Sequence, residues 1–419
     1  MAPRFSIIVP TRERLRTLGP CLRSCLYQTH TTFEVVVQDN ASADGTGEFV
    51  QSLDDPRIKY FRNASRTSMR QNFENAFANA TGEYLISIGD DDGMVPGALE
   101  TLDRALGFGR YDFATWPPVY YFWPGYNDQP GVPLKRHSLF GAVETIGANS
   151  ALDKLRNARP VHFRHMPKLY HGCVSRGLVD RVRAQTGTVF LYDIPDIYAQ
   201  AALSFAAGEG IALGHPVSIQ GGSTNSTGSS QFESPAGSPS SIGEAPFDRF
   251  VKEASTDQTA PIPYNSNFAS MSYYLYVSLV IAQKAFQRED AIDNDGWIKR
   301  IVQELSRDAH TLGGAKRAPS LSLIDEKILF VLRTVPDPSP KIASDSIRKS
   351  GKSRRRYLSR CMLLTELNGE NTIDTASRVL GTAFAKRAVN YTWFPGWQLL
   401  QAQSWLQMVI ANRGRALPR

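Results

Sequence analysis

Four short apolar runs recur in the first hundred residues, each separated from the next by a segment with helical periodicity. This alternation restricts the possible fold more than any other feature of the chain. Phe5 to Val9, Phe33 to Val37, Ile58 to Phe61 and Tyr84 to Ile88 read as strands, with Leu15 to Leu26, Gly45 to Leu53 and Met69 to Ala80 as amphipathic helices between them. Strands that are apolar throughout, rather than on alternate residues, are buried on both faces. That predicts an α/β fold with a mostly parallel sheet covered by helices on each side. Ligands in such sheets bind outside the carboxyl ends of the strands, so function is expected in the residues that follow each run.

The first run continues into Val9-Pro10-Thr11-Arg12. Neither the glycine-rich turn of a dinucleotide site nor a P-loop stands there, which argues against a dehydrogenase or an NTPase. The second leads into Gln38-Asp39-Asn40 and then Ala41 to Thr46. An acid at this place can accept hydrogen bonds from a base or ribose, or it can simply form a turn and cap the next helix. The fourth leads into Gly89-Asp90-Asp91-Asp92-Gly93. Three consecutive carboxylates behind a buried strand repel one another unless a cation neutralises them, and an all-oxygen set suits Mg²⁺ or Mn²⁺ shared with substrate phosphates. A solvated acidic turn is the plainer alternative.

In their order and spacing these segments resemble the nucleotide-sugar domain of inverting glycosyltransferase family 2, a nucleotide-diphospho-sugar transferase family with the GT-A fold. Ser6 to Arg12 is similar to its opening strand, and Ser24 to Thr29 followed by Glu34 to Thr46 to its second unit. Asn72 to Ala80 with Thr81-Gly82-Glu83-Tyr84 is similar to the approach to its acidic cluster. The resemblance covers residues 5 to about 105 and fades after about 230. It implies a donor site of Pro10, Thr11, Arg12, Asp39, Asn72, Asp90 and Asp91. In it Thr11 and Asp39 hold the base and Asp90 lies near the ribose, while Arg12 is a candidate for the diphosphate, an exposed helix-start arginine being the other reading. Asp91 and Asp92 are implied at a Mn²⁺ or Mg²⁺ ion bridging that diphosphate. The family often writes this site Asp-x-Asp-Asp; Gly89 replaces the first acid, which leaves open which two aspartates meet the metal.

Inverting transfer is a single displacement in which a carboxylate must take the proton of the acceptor hydroxyl. The family places that acid at the start of a helix well downstream. Asp196, directly after Pro195, resembles it, and Asp193 is the runner-up; a helix-start acid favoured by capping is the structural alternative. His171 is expected either on the acceptor side or as a hydrogen-bonded structural histidine. Ser223 and Thr224 fall in Gly221 to Gly228, where related enzymes carry a mobile donor-covering loop and where a plain linker is the other reading.

At 419 residues the chain suits two domains. A catalytic domain is expected over 1–230, a flexible loop or linker over 231–262, and a helical, basic region over 263–419. Residues 341–419 carry 14 Lys and Arg against 4 Asp and Glu, densest from Arg348 to Arg360. This suits a solvated helix face or an anionic membrane surface. Nucleic acid is not expected, because no recognition motif accompanies the charge. No apolar run approaches the roughly 20 residues of a membrane span. Four scattered cysteines and the lack of a signal-peptide pattern make a reducing cytoplasm the expected compartment, with peripheral contact at the inner membrane face.

The expected function is metal-dependent transfer from a nucleotide sugar, UDP-sugar favoured, to a hydroxyl of a glycan or lipid-linked acceptor in cell-surface or extracellular polysaccharide synthesis. The rival is a non-catalytic sugar-nucleotide-binding or scaffold protein with the same fold, to which Gly89 lends support.

Overall fold

The structure is a computed structural model that describes residues 2–124, 132–135, 143–161, 165–224, 226, 246–257, 259, 270–311, 372–374 and 376–378. The opening alternation is as expected: β1 (Phe5–Thr11), α1 (Leu15–Leu26), β2 (Phe33–Asp39), α2 (Thr46–Ser52), β3 (Ile58–Arg62), α3 (Met69–Asn79) and β4 (Tyr84–Ser87). Further along come β6 (Phe113–Thr115), β9 (Val143–Gly147), β10 (Gly172–Ser175) and β11 (Glu209–Leu213). Together these form one sheet in the order β3-β2-β1-β4-β10-β6-β11-β9. All of its strands except β9 and β10 run the same way, so the sheet is mostly parallel.

Unbroken apolar runs are explained by the two covered faces. Ile7, Val9, Val35, Val37 and Ile86 meet α1 and α4 (Ala98–Leu106) through Leu18, Cys21, Leu22, Leu99 and Leu102. Ile8, Val36 and Leu85 face the other way, toward α3, α5 (Ala148–Arg156), α6 (Arg176–Thr186) and α7 (Pro195–Ala206). Local chemistry sets the helix starts. Ser68 and Ser175 accept from Gln71 N and Leu178 N, each at 3.1 Å, and so cap α3 and α6.

A second, smaller sheet of order β5-β12-β7-β8 joins β5 (Gly93–Met94), β7 (Val119–Phe122), β8 (Val132–Lys135) and β12 (Ser218–Gly222). It revises two expectations. The stretch after Asp112, which reads as a break in the strand rhythm, contains β6 and β7; Trp116-Pro117-Pro118 between them hides the periodicity. Gly221 and Gly222, read as the start of a mobile loop, are instead the end of β12, paired with Tyr121 and Phe122.

After α8 (Pro246–Ala254), α9 (Met271–Ala285) and α10 (Asn294–Thr311) complete the layer behind α7. The tyrosine-rich segment packs as core, as its composition suggests: Tyr273, Tyr274 and Tyr276 are buried together with Leu279 and Trp297. Trp297 Nε1 donates to Leu155 O at 2.9 Å, tying α10 to α5. This apolar layer therefore continues across the expected 231–262 division. Among the described residues no helix is long and apolar enough to cross a membrane. Of the expected helical, basic region, the segment 348–360 lies outside the described residues, while 372–374 and 376–378 are described, with Ala376 buried and Ser377 Oγ donating to Met94 O at 2.6 Å.

Candidate functional site

The carboxyl ends of β1, β2 and β4 lie side by side and carry Thr11, Asp39 and the aspartate triplet. The β1–β4 register stops at Ile8 and Ser87, so Pro10 has no β4 neighbour there. A residue without an N–H is therefore tolerated in a central strand.

The triplet is a buried cluster in which each carboxylate has its own environment. Asp90 accepts from Thr11 Oγ1 at 2.7 Å and from Arg14 Nη1 at 2.9 Å. Asp91 accepts from Ser223 Oγ at 2.6 Å, with Arg14 3.8 Å away. Asp92 accepts from Gly89 N at 2.6 Å, Tyr170 Oη at 2.7 Å and Gly221 N at 2.7 Å, and His171 Nε2 lies 3.2 Å from the same carboxylate. These surroundings separate their acidities. Burial pushes the Asp91 carboxyl up; Arg14 opposes this, and Asp92 and Asp90 add to it. Burial also works against the Asp92 carboxylate, yet His171, Tyr170 and the Gly221 N–H hold its pKa below the usual value. Asp92 is thus a satisfied structural anion, while Asp91 is met by one hydroxyl and a more distant guanidinium.

The loop before β10 supplies the wall. His171 is 3% exposed, sits at φ +49°, and shares a 2.8 Å hydrogen bond through Nδ1 with Ser218 Oγ, which also accepts from Trp116 Nε1 at 2.7 Å. A left-handed conformation in a non-glycine residue costs energy, and here it is held by packing on both sides. A Cβ at Gly89 would sit 3.0 Å from Asp91 Oδ1 and Asp92 Oδ2 and 3.3 Å from the Tyr170 hydroxyl, so a side chain there would make these neighbours give by a few tenths of an ångström.

Asp39 is fully buried and engaged, accepting from Ser42 N at 2.9 Å and from Tyr60 Oη and Arg62 Nη1 at 2.7 Å each. Asn72 is fixed through Asn63 Nδ2, which donates to Asn72 Oδ1 at 2.9 Å. Arg12 forms an ion pair with Glu253 of α8.

Comparison with known proteins bears on this constellation. The family model for Glycosyl transferase family 2 matches residues 6–157. Residues 6–157 are therefore similar to a glycosyl transferase family 2 domain. A Campylobacter jejuni protein named GalNAc(5)-diNAcBac-PP-undecaprenol beta-1,3-glucosyltransferase is 39% identical over 110 residues, 26% of this chain and 36% of that protein. The putative colanic acid biosynthesis glycosyl transferase WcaA of Escherichia coli is 31% identical over 99 residues, 23% of this chain and 36% of its own length. The matches therefore span about a third of these relatives. Among solved structures, Staphylococcus aureus TarS 1–349 in complex with UDP-GlcNAc aligns at 14% identity and a TM-score of 0.44, covering 88% of this chain and 98% of that one.

The family match ends before several of the residues of interest. His171, Asp193, Asp196, Ser223 and Thr224 all follow residue 157, and the structure brings His171 and Ser223 onto the acidic cluster. Thr224, the next residue, is exposed. Asp196 opens α7 behind Pro195; burial raises its carboxyl pKa, and His171 lies near enough to act against that rise. Asp193 is 2% exposed. Ser218 and Arg14 escaped the sequence reading; Tyr170 stands next to the flagged His171 and Gly221 opens the flagged Gly221 to Gly228 segment, but neither had a role assigned. Among the described residues no three His, Cys, Asp or Glu side chains form a self-sufficient metal cage. A single available carboxylate, Asp91, still fits a cation completed by substrate phosphates, as Mg²⁺ commonly is.

Proposed function

We propose that this chain transfers a sugar from a nucleoside-diphosphate sugar to an acceptor hydroxyl, with inversion at the anomeric carbon. The observation that carries the reading is the buried Asp90-Asp91-Asp92 cluster at the strand ends, within the segment that matches family 2, in which Asp91 has the fewest close donors. The base of the donor would rest against Thr11 and Asp39, with the ribose near Asp90. A divalent cation held by Asp91 and the diphosphate would offset charge on the leaving nucleoside diphosphate.

This chain's own residues do the rest. Asp92 and Tyr170 hold the acidic turn in shape, and Ser223 fixes the orientation of Asp91. Asp196 takes the acceptor proton as the acceptor oxygen bonds to the anomeric carbon and the bond to the diphosphate breaks. Its raised pKa favours that role, because a base must match the acidity it works against. Asp193 is nearly inaccessible, which makes it the poorer candidate. A glycan or lipid-linked acceptor is in keeping with the names of the two relatives.

The test is turnover of UDP-, GDP- and dTDP-sugars by purified protein with Mn²⁺ or Mg²⁺ and mixed acceptors, compared with Asp91→Asn. Turnover abolished in the variant is the expected result. Absence of turnover or hydrolysis with every donor would sink the reading.

A further inference from the structure

We propose that α8 is a latch on the donor's diphosphate: Glu253 holds Arg12 in place of that diphosphate, and Arg249 beside it is a second diphosphate ligand. This rests on the nucleotide-sugar reading above. The helix lies far beyond the family match in sequence, yet it reaches the carboxyl end of β1, where Glu253 pairs with Arg12. Both side chains of that pair are about four-fifths buried, at 18% and 19% exposed. Phe250 and Ala254 are buried and seat the helix.

The turn after α8 is anchored on α3. Asp257 accepts from Ser68 and from Arg70 Nε at 2.7 Å, and Arg70 Nη1 also reaches Phe190 O at 3.1 Å. Burial opposes the Asp257 charge, but Arg70, Ser68 and Thr259 hold its carboxyl well below the usual range. The strap is therefore fixed at one end, with the Arg12–Glu253 contact on the helix just before the anchor.

What surrounds Arg12 points to an anion. Arg249, Arg14 and Arg66 are all close enough to oppose its charge. Arg14 is paired with Asp90 and Arg66 with Glu13. Arg249 is different: its Nε is buried with no hydrogen-bond partner among the described residues. A guanidinium left partly unpaired beside three others is costly unless an acceptor-rich anion joins them. Arg249 and Glu253 are four residues apart on α8 and so share one face. One helix face thus offers a carboxylate that imitates the ligand's charge and an arginine that has yet to find it. A diphosphate has the charge and the oxygens to displace the carboxylate and bridge both arginines.

The test is calorimetric titration of the full chain with inorganic pyrophosphate and with UDP. Glu253→Gln should tighten both by about tenfold, because the internal competitor is gone. Arg249→Gln should weaken both by a similar factor. Unchanged or weaker pyrophosphate binding in Glu253→Gln, or unchanged binding in Arg249→Gln, overturns the latch. Absence of pyrophosphate binding in every form overturns it too. If Glu253→Gln does not fold, Arg249→Gln decides alone, since that side chain makes no hydrogen bond through its buried Nε. Tightened pyrophosphate binding without any advantage of UDP over pyrophosphate would keep the latch and remove the nucleotide reading. UDP favoured over pyrophosphate but indifferent to both substitutions would do the reverse.

Discussion

The carboxylate of Asp92 accepts the backbone N–H of Gly221 at 2.7 Å, joining the acidic turn behind β4 to a strand that lies 129 residues further along the chain. The approach is close enough to demand glycine. A Cβ at Gly221 would lie 1.8 Å from the Asp91 carbonyl oxygen. Gly221→Ala must therefore push β12 off the turn, and a loss of about 2–3 kcal/mol is expected from such overpacking. Urea denaturation measures it; an unchanged midpoint would contradict the close approach.

Asp91 and Asp92 should respond in opposite ways to the same substitution. Asp92→Asn turns an amide donor toward groups that are themselves donors, at a cost of about 2–4 kcal/mol. Asp91→Asn relieves buried like charge and keeps the Ser223 contact, so stability should hold or rise while sugar transfer falls by about 100-fold or more. Parallel denaturation and turnover assays separate the two; equal destabilisation by both would show that the division of labour is wrong.

Asp196 predicts a pH profile. The base works only when deprotonated, and burial raises its pKa above the ordinary aspartate value. Turnover should accordingly fall as pH drops through that raised pKa, with the acid limb displaced upward from a solvated carboxylate. Asp196→Asn should lower kcat by about 100- to 10,000-fold with donor affinity retained. Donor titration alongside kcat tests this, and a variant that keeps its kcat would transfer the role to Asp193.

Lys168 gives a separate stability signature. Its ammonium is 7% exposed, donates to Trp116 O at 3.0 Å, and is pushed by burial down to about 8 from 10.5. Between those values the unfolded chain binds more protons than the folded one, so stability should rise as pH climbs from 8 toward 10.5. Lys168→Met should remove that slope. Denaturation midpoints at several pH values check it, and parallel curves for both proteins would exclude the buried charge as the cause.

The parts that were readable are those whose determinants are local. β1 to β4 and α1 to α3 follow from apolar runs and helical spacing within each segment, and Asp90 to Asp92 announce themselves as a triplet. Tyr170, Ser218 and Gly221 carry no such mark. Each matters through a partner at least 47 residues away, as with His171 and Ser218 or Tyr170 and Asp92. Their roles become visible only once the second sheet is laid against the first. β6 and β7 were hidden for a different reason: prolines and a tryptophan at a sharp corner erase the period by which strands are recognised. Glu253 is an ordinary helix acid until its partner, 241 residues earlier, is known.

The burial of α9 against α7 has a consequence for anyone shortening this protein. A fragment cut to the family match at residue 157 would lose the helix headed by Asp196 altogether, and one cut at 230 would strip the cover from Tyr198 and Leu203 and leave that helix without its backing. A piece that keeps α7 packed as it is here runs at least to α10, so the bounds of a stable fragment follow from what braces that helix rather than from where the family likeness stops.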